Sequence, residues 1–179
     1  RFVVDHMLDS SDKQFYFTVN ASGEAAVNTD KPLYAQSFAI FALSTYGRVF
    51  NVSEANVLAL STFRAIELRH DAAHLGYDEH NDMGGLGAGA QRSTNTHIHL
   101  MEAFTALYHA TNDPDVRARL DELVTLVSTK LFQADKKFVA KEFGNDWSPV
   151  GDSRVSYGHD LETAWLLIDA AHAVGRESE

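Results

Sequence analysis

Five apolar segments of helical length, joined by alternately short and long connections, constrain the fold of this 179-residue chain more than any other feature. Short connections follow the first and third segments, whereas long polar or glycine-bearing stretches precede the first, third and fifth. Short connections favour antiparallel neighbours, so we expect the N-termini of the first, third and fifth helices at one end of a stacked array. The predicted helices cover residues 31–50, 53–70, 94–110, 114–131 and 161–174.

Local signals at the segment boundaries support this pattern. Asp30 and Ser53 stand where the N-caps of the first two helices are expected, and Pro32 suits a first helical turn. Residues 14–19 are aromatic and β-branched and precede a turn in which Gly23 suits a positive φ, which predicts a short hairpin. The chain is therefore predicted to be all-α, with short β-hairpins in its connections.

The composition excludes several classes of protein. A formal net charge of −10, from 15 Lys and Arg against 25 Asp and Glu, leaves no basic surface for nucleic acid. No apolar run approaches the length of a membrane span, so no membrane partner is expected. The absence of cysteine excludes disulfides and thiolate zinc sites and is compatible with a reducing cytoplasm, which is the expected location.

Polar side chains of uncertain role stand at two helix ends. Tyr34 and Gln36 begin the otherwise apolar first helix, where a tyrosine with a hydrated hydroxyl and an exposed glutamine are the plain alternative to a binding site. His70 and His74, four residues apart at the end of the second helix, could bind a metal ion. A solvated pair that complements the helix dipole is the interpretation we favour for them.

In the third helix, Asn95, His99 and Glu102 share one face because they are spaced four and three residues apart. His97 stands two residues before His99, and side chains so spaced diverge by about 200° on a helix. The two histidines are therefore not expected to share a metal ion. A buried structural role for His99 stays open beside a catalytic one.

The fifth helix begins with a similar pattern. His159 is followed one turn later by Glu162, and Ser156 or Asp160 could cap the helix. A helix N-terminus disfavours the charged imidazolium, so a neutral ring at this position can act as a general base. The His-x-x-Glu spacing thus occurs in two helices, in the reverse order of the Glu-x-x-His pairs of di-iron bundles.

Three strings, KPLYAQSFAIFALSTYG, STNTHIHLMEAFTALY and DWSPVGDSRVSYGHDLETAWLL, resemble the N-acylglucosamine 2-epimerase family in sequence, order and separation. The resemblance extends over nearly the whole chain and is closer to the cellobiose 2-epimerase and mannose epimerase or isomerase branch. It implies an (α/α)6 toroid, of which residues 1–179 would be the central part of a single domain truncated at both ends. Because five helices cannot close a toroid, these residues alone are expected to be inactive.

The resemblance also implies cofactor-free proton transfer at C2 of a reducing mono- or disaccharide, through an enediolate. His159 would be one general acid/base, and His99 would assist ring opening or polarise the sugar oxygens. An arginine, a second acid/base histidine and sugar-holding tryptophans are expected outside this chain. The remaining site residues would contact the sugar (Tyr34, Asn95) or orient and tune the histidines (Glu102, Glu162).

Two other functions stay open on spacing alone. A glycoside hydrolase on a similar toroid would need two carboxylates flanking the glycosidic oxygen, for which Glu102 and Glu162 are candidates. A non-enzymatic helical-repeat module would show an internal repeat, and the only echo in the chain is the repeated His-x-x-Glu.

Overall fold

A computed structural model describes residues 1–24, 26–79, 86, 90–151 and 155–176. Two single turns extend helices: a 3-10 turn at Glu67–Arg69 and a π-helical turn at Val127–Leu131. The α-helices of the described ranges are α1 (Phe2–His6), α2 (Leu33–Phe50), α3 (Ser53–Ile66), α4 (Thr94–Thr111), α5 (Pro114–Leu126) and α6 (Tyr157–Val174). The five predicted helices are α2 to α6, and the predicted all-α class is confirmed.

The starts of α2 and α3 differ from the predicted caps, whereas a predicted cap of α6 is confirmed. Pro32, with φ −63° and ψ 147°, is the N-cap of α2, so Asp30 stands too far upstream to cap it. Val52 precedes α3, which makes Ser53 its first helical residue rather than its cap. Ser156, one of the two caps predicted for the last helix, is confirmed as the N-cap of α6, because its hydroxyl accepts the backbone N–H of His159, and the helix begins one turn earlier than predicted.

Short antiparallel ladders occupy the connections. The predicted hairpin with Gly23 in its turn is present, at φ 76°, but only residues 18–19 of the predicted strand 14–19 belong to it, because residues 14–15 pair with residues 8–9 in a separate hairpin. The β5–β8 pair joins distant parts of the chain and ties the start of α4 to the segment before α6. The pairs are β1 (Leu8–Asp9) with β2 (Gln14–Phe15), β3 (Thr18–Val19) with β4 (Ala26–Asn28), β5 (Arg92–Ser93) with β8 (Glu142–Phe143), and β6 (Phe132–Gln133) with β7 (Phe138–Val139). Most of the glycine-rich stretch at residues 80–89, predicted as a loop, lies outside the described residues.

The helices form two layers. In the first layer α4 packs between α2 and α6, while α3 and α5 pack behind them. The middle helix α4 is the most deeply buried, and its Phe104 meets Phe63 of α3 edge to face at 5.0 Å. The flanking helices expose apolar side chains, such as Phe50 of α2 and Trp165 of α6. This alternation is a partial stretch of the predicted (α/α)6 toroid, with its open flanks at α2 and α6.

None of the helices in the described ranges is both long enough and apolar enough to cross a membrane.

Candidate active site

A cavity of about 320 Å³ lies where the first turns of α2, α4 and α6 meet. Tyr34, Asn95 and His159 line it, one from each helix, and residues 139–142 form part of its wall. The alternation of short and long connections predicted that these three N-termini would lie together. The partial positive charge of helix N-termini favours electron-rich ligand oxygens in such a space.

His99 lies one turn deeper along α4 than Asn95 and is 8% exposed. Its Nδ1 is 2.9 Å from Glu102 Oε2, and because a carboxylate only accepts, Nδ1 carries the proton and donates. In the neutral form of the ring, this tautomer leaves the lone pair on Nε2. The ring also meets Phe38 at 4.8 Å and Tyr34 at 5.5 Å between centroids, which fixes its plane between α2 and α6.

Glu162 lies between the two histidine-bearing helices. The sequence pairs it with His159 on α6, and the structure places its Oε1 4.0 Å from His99 Nε2. His159 stands half-buried in the first turn of α6, in the cavity wall. The neighbouring Asp160 accepts a hydrogen bond from Val139 N at 3.0 Å, which joins the start of α6 to the hairpin that borders the cavity.

His97 points away from His99, into the protein. Its side chain is fully buried, and its Nε2 accepts the backbone N–H of Tyr77 at 3.0 Å. Nδ1 therefore carries the proton, which it donates to the Ser93 carbonyl at 2.8 Å. The Trp147 ring packs edge-on at 4.8 Å. These contacts fix one neutral tautomer and give His97 a structural role.

Tyr34 and Gln36, the two polar residues at the start of α2, also have different roles. Tyr34 lines the cavity, but Gln36 is fully buried rather than exposed. Its side-chain amide accepts from Phe15 N at 2.7 Å and donates to Phe15 O at 2.8 Å. Gln36 thus satisfies the main chain of β2 and has no part in the cavity.

The expectation of a solvated His70 and His74 pair is wrong for His70. Its Nε2 lies 2.8 Å from Glu122 Oε1, and its side chain is buried against that carboxylate. His74 makes a different contact within the same loop: its Nδ1 lies 2.9 Å from Asp71 Oδ2. Within the described ranges, no group of three His, Cys, Asp or Glu side chains is placed to hold a metal ion.

Two buried charged residues, Glu79 and Arg92, were not identifiable from the sequence pattern. Glu79 lines the cavity and binds Ser93, while Arg92 is fully buried between Asp71 and Asn145. Glu79 ends a Gly-Tyr-Asp-Glu stretch and Arg92 precedes the cap of α4, yet neither belongs to a periodic pattern. Their partners lie in other segments, so spacing alone carried no signal for them.

Comparison with known proteins supports the fold and the family. The cellobiose 2-epimerase from Bacteroides fragilis is 34% identical over 98% of the chain, and the match covers 47% of the length of that enzyme. The cellobiose 2-epimerase from Dictyoglomus turgidum is 31% identical over 95% of the chain, and the match covers 46% of its length. The solved cellobiose 2-epimerase from Bacillus thermoamylovorans B4167 matches the whole chain with a TM-score of 0.93 and 32% identity, over 48% of its own length. A D-mannose isomerase structure, at TM-score 0.72 and 15% identity, shares the fold. The chain spans about half the length of the curated relatives it matches. Since residues 2–179 also match the sequence signature of the N-acylglucosamine 2-epimerase (GlcNAc 2-epimerase) family, the chain belongs to that family.

Proposed function

We propose that the full-length protein containing this chain is a sugar epimerase or isomerase that acts at C2 of a reducing aldose. The observation that carries the proposal is that His159 lines the cavity from α6, while His99 on the adjacent helix α4 packs against the cavity-lining Tyr34 with its Nε2 directed towards α6. The names of the relatives make cellobiose the first substrate to test.

The proposed chemistry is a proton transfer. After the sugar ring opens, a base removes the C2 proton, the electron pair moves into an enediolate, and a proton returns to C2 on the opposite face or to C1. His159 is the proposed general acid/base, and His99 assists ring opening by accepting a hydrogen bond from a sugar hydroxyl at Nε2. Glu102 favours the His99 tautomer that has its proton on Nδ1 and leaves Nε2 free to accept. Return on the opposite face requires a second base, which we expect outside this chain.

Cavity-lining side chains supply the contacts to the sugar. Tyr34 and Asn95 offer a hydroxyl and an amide from two different helices. Hydroxyl and amide groups both donate and accept, as sugar hydroxyls require. The reaction needs no redox group, because proton loss and return leave the oxidation state of epimeric aldoses unchanged.

A glycosidase mechanism fits these residues poorly. Glu102 already accepts a hydrogen bond from His99, and Glu162 lies 4.0 Å from the same ring. Both carboxylates therefore surround a histidine instead of facing each other across an open space for a glycosidic bond. Release of free glucose from cellobiose would contradict the epimerase proposal.

The test is turnover of cellobiose by the full-length protein in D₂O. We expect the C2 epimer, glucosyl-mannose, to carry deuterium at C2, detected by mass spectrometry and NMR. His159→Asn keeps side-chain polarity but removes the base, so turnover should fall at least about 10²-fold. His109→Asn is the matched control, since His109 is exposed at the far end of α4. Near-normal turnover of His159→Asn would remove His159 from proton transfer.

A further inference from the structure

Glu79 is a carboxylate held almost entirely out of solvent in the cavity wall. Its side chain is 4% exposed. Oε1 accepts the backbone N–H of Ser93 at 2.7 Å, and Oε2 accepts the Ser93 hydroxyl at 2.9 Å. His97 Nδ1 also approaches Oε1, at 3.3 Å. Both oxygens are therefore committed to donors from the protein.

This carboxylate is ionised at neutral pH. Burial raises the pKa of Glu79, but hydrogen bonds from His97, Ser93 and Thr96 hold it below its ordinary value. An ionised carboxylate accepts hydrogen bonds and has no proton to donate. Its contribution is thus to hold its partners in place, and its charge complements the N-terminus of α4.

Those partners define where α4 starts. The Ser93 hydroxyl caps the helix by accepting Thr96 N–H at 3.1 Å, and the Ser93 carbonyl accepts from His97 at 2.8 Å. Glu79 therefore holds both the backbone and the side chain of the capping residue. Asn95 lies two residues beyond the cap and His99 one turn further, so their positions follow from that of Ser93.

The segment that carries Glu79 is itself anchored. Tyr77 N donates to His97 Nε2, and Gly76 N donates to Glu122 Oε1 at 2.9 Å. A Cβ on Gly76 would lie 2.9 Å from His97 Nε2, so the backbone passes too close to the ring for any side chain. Glu79 is thus presented to α4 from a fixed support.

We infer that Glu79 is a positioning residue, which holds the first turn of α4 so that Asn95 and His99 meet the sugar in register. This role rests on the proposed function, because it acts through two residues of the proposed site. Displacement of a reacting group by about 1 Å can cost about 100-fold in rate. A smaller shift at the cap therefore predicts a kcat loss of about 10-fold.

The test is Glu79→Gln in the full-length protein. The amide keeps the shape of the side chain but replaces one acceptor oxygen with a donor, which leaves a Ser93 donor without its acceptor. Well below the melting temperature we expect kcat on cellobiose to fall about 10-fold, with a smaller rise in KM from the displaced Asn95. Hydrogen exchange in a peptide spanning residues 93–99 should increase. An unchanged kcat would overturn the proposal.

Asp113→Ala is the matched control. Asp113 is another poorly exposed carboxylate that holds a helix start, by accepting the backbone N–H groups of Asp115 and Val116 in α5, and it does not line the cavity. Its loss should lower the melting temperature and leave kcat unchanged. An equal kcat loss in both variants would show a general stability effect and would contradict a specific role for Glu79.

A double-mutant cycle tests whether Glu79 affects kcat through its contact with Ser93, the N-cap of α4. Ser93→Ala should reduce kcat by a similar factor, and adding it to Glu79→Gln should cost little more, because both act through one contact. If the kcat losses of the two single variants add in the double variant, Glu79 does not act through Ser93 and the proposal is overturned. If the wild-type protein neither epimerises nor isomerises cellobiose, glucose or mannose, the proposed function fails independently of the role of Glu79. The exchange of residues 93–99 then decides whether Glu79 holds α4, and unchanged exchange would refute that.

Discussion

His97 and His99 lie two residues apart on α4, but their replacement by alanine should have different effects: His97→Ala should mainly reduce stability, and His99→Ala should mainly reduce turnover. His97→Ala leaves the Tyr77 N–H without its acceptor in a fully buried site, at a cost of about 1–3 kcal/mol. The emptied ring site beside Trp147 adds about 2 kcal/mol. We expect a total loss of about 3–5 kcal/mol in the free energy of unfolding.

His99→Ala should cost about 1–2 kcal/mol, because it removes one hydrogen bond to the partly exposed Glu102 and the contacts of the ring with Phe38 and Tyr34. Its effect should appear in turnover instead. Since Asn95 and the cavity remain, KM for cellobiose should change less than kcat. His97→Gln should recover part of the stability lost in His97→Ala, because its amide oxygen can accept the Tyr77 N–H.

Urea denaturation and steady-state kinetics of the full-length variants measure both effects. Kinetics are recorded at a temperature where each variant is folded, as judged by circular dichroism. The reasoning is refuted if His97→Ala unfolds within about 1 kcal/mol of wild type. It is equally refuted if His99→Ala is the less stable variant of the two.

Three further outcomes are expected. Gly76→Ala should destabilise by about 2 kcal/mol or more, since the residue has φ +71° and a Cβ would press on His97; urea titration giving a wild-type midpoint would disprove this. Burial opposes ionisation of Asp71, but hydrogen bonds from His74 and Arg92 hold its pKa below the ordinary value. Its stabilisation is thus present above about pH 4 and lost as pH falls through the folded-state pKa, and Asp71→Asn should reduce the difference in unfolding free energy between neutral and acid pH. Activity of the full-length protein should survive EDTA treatment, and loss restored by Zn²⁺ or Mn²⁺ would favour a metal-assisted isomerase.

The helical part of the fold was predictable because its signals are local. Apolar periodicity and the Asn112-Asp113-Pro114 break placed α4 and α5 close to their observed bounds. The helix caps were harder to predict, since Asp30 and Ser53 are good capping residues that lie one or two positions away from the true start. A cap depends on the φ and ψ of one residue, which the composition of its neighbours does not specify.

The candidate site was predictable where one helix supplies the geometry. Helical spacing alone separates His97 from His99 and places Glu102 beside His99, and the structure has both relations. Spacing could not show that Glu162 reaches across to His99 from another helix. That contact depends on how closely α4 and α6 pack.

The sequence by itself determined the five longer helices α2 to α6, their order and the face that each histidine of α4 presents, because 3.6-residue periodicity acts over a few neighbouring residues. Only the tertiary structure decided which polar side chains are buried and what they hold. His70 finds its carboxylate 52 residues away at Glu122, and Glu79 finds its donors 14 residues away at Ser93. A buried charge is stable only where the fold brings donors or counter-charges to it, and contacts between distant segments leave no periodic trace in the chain.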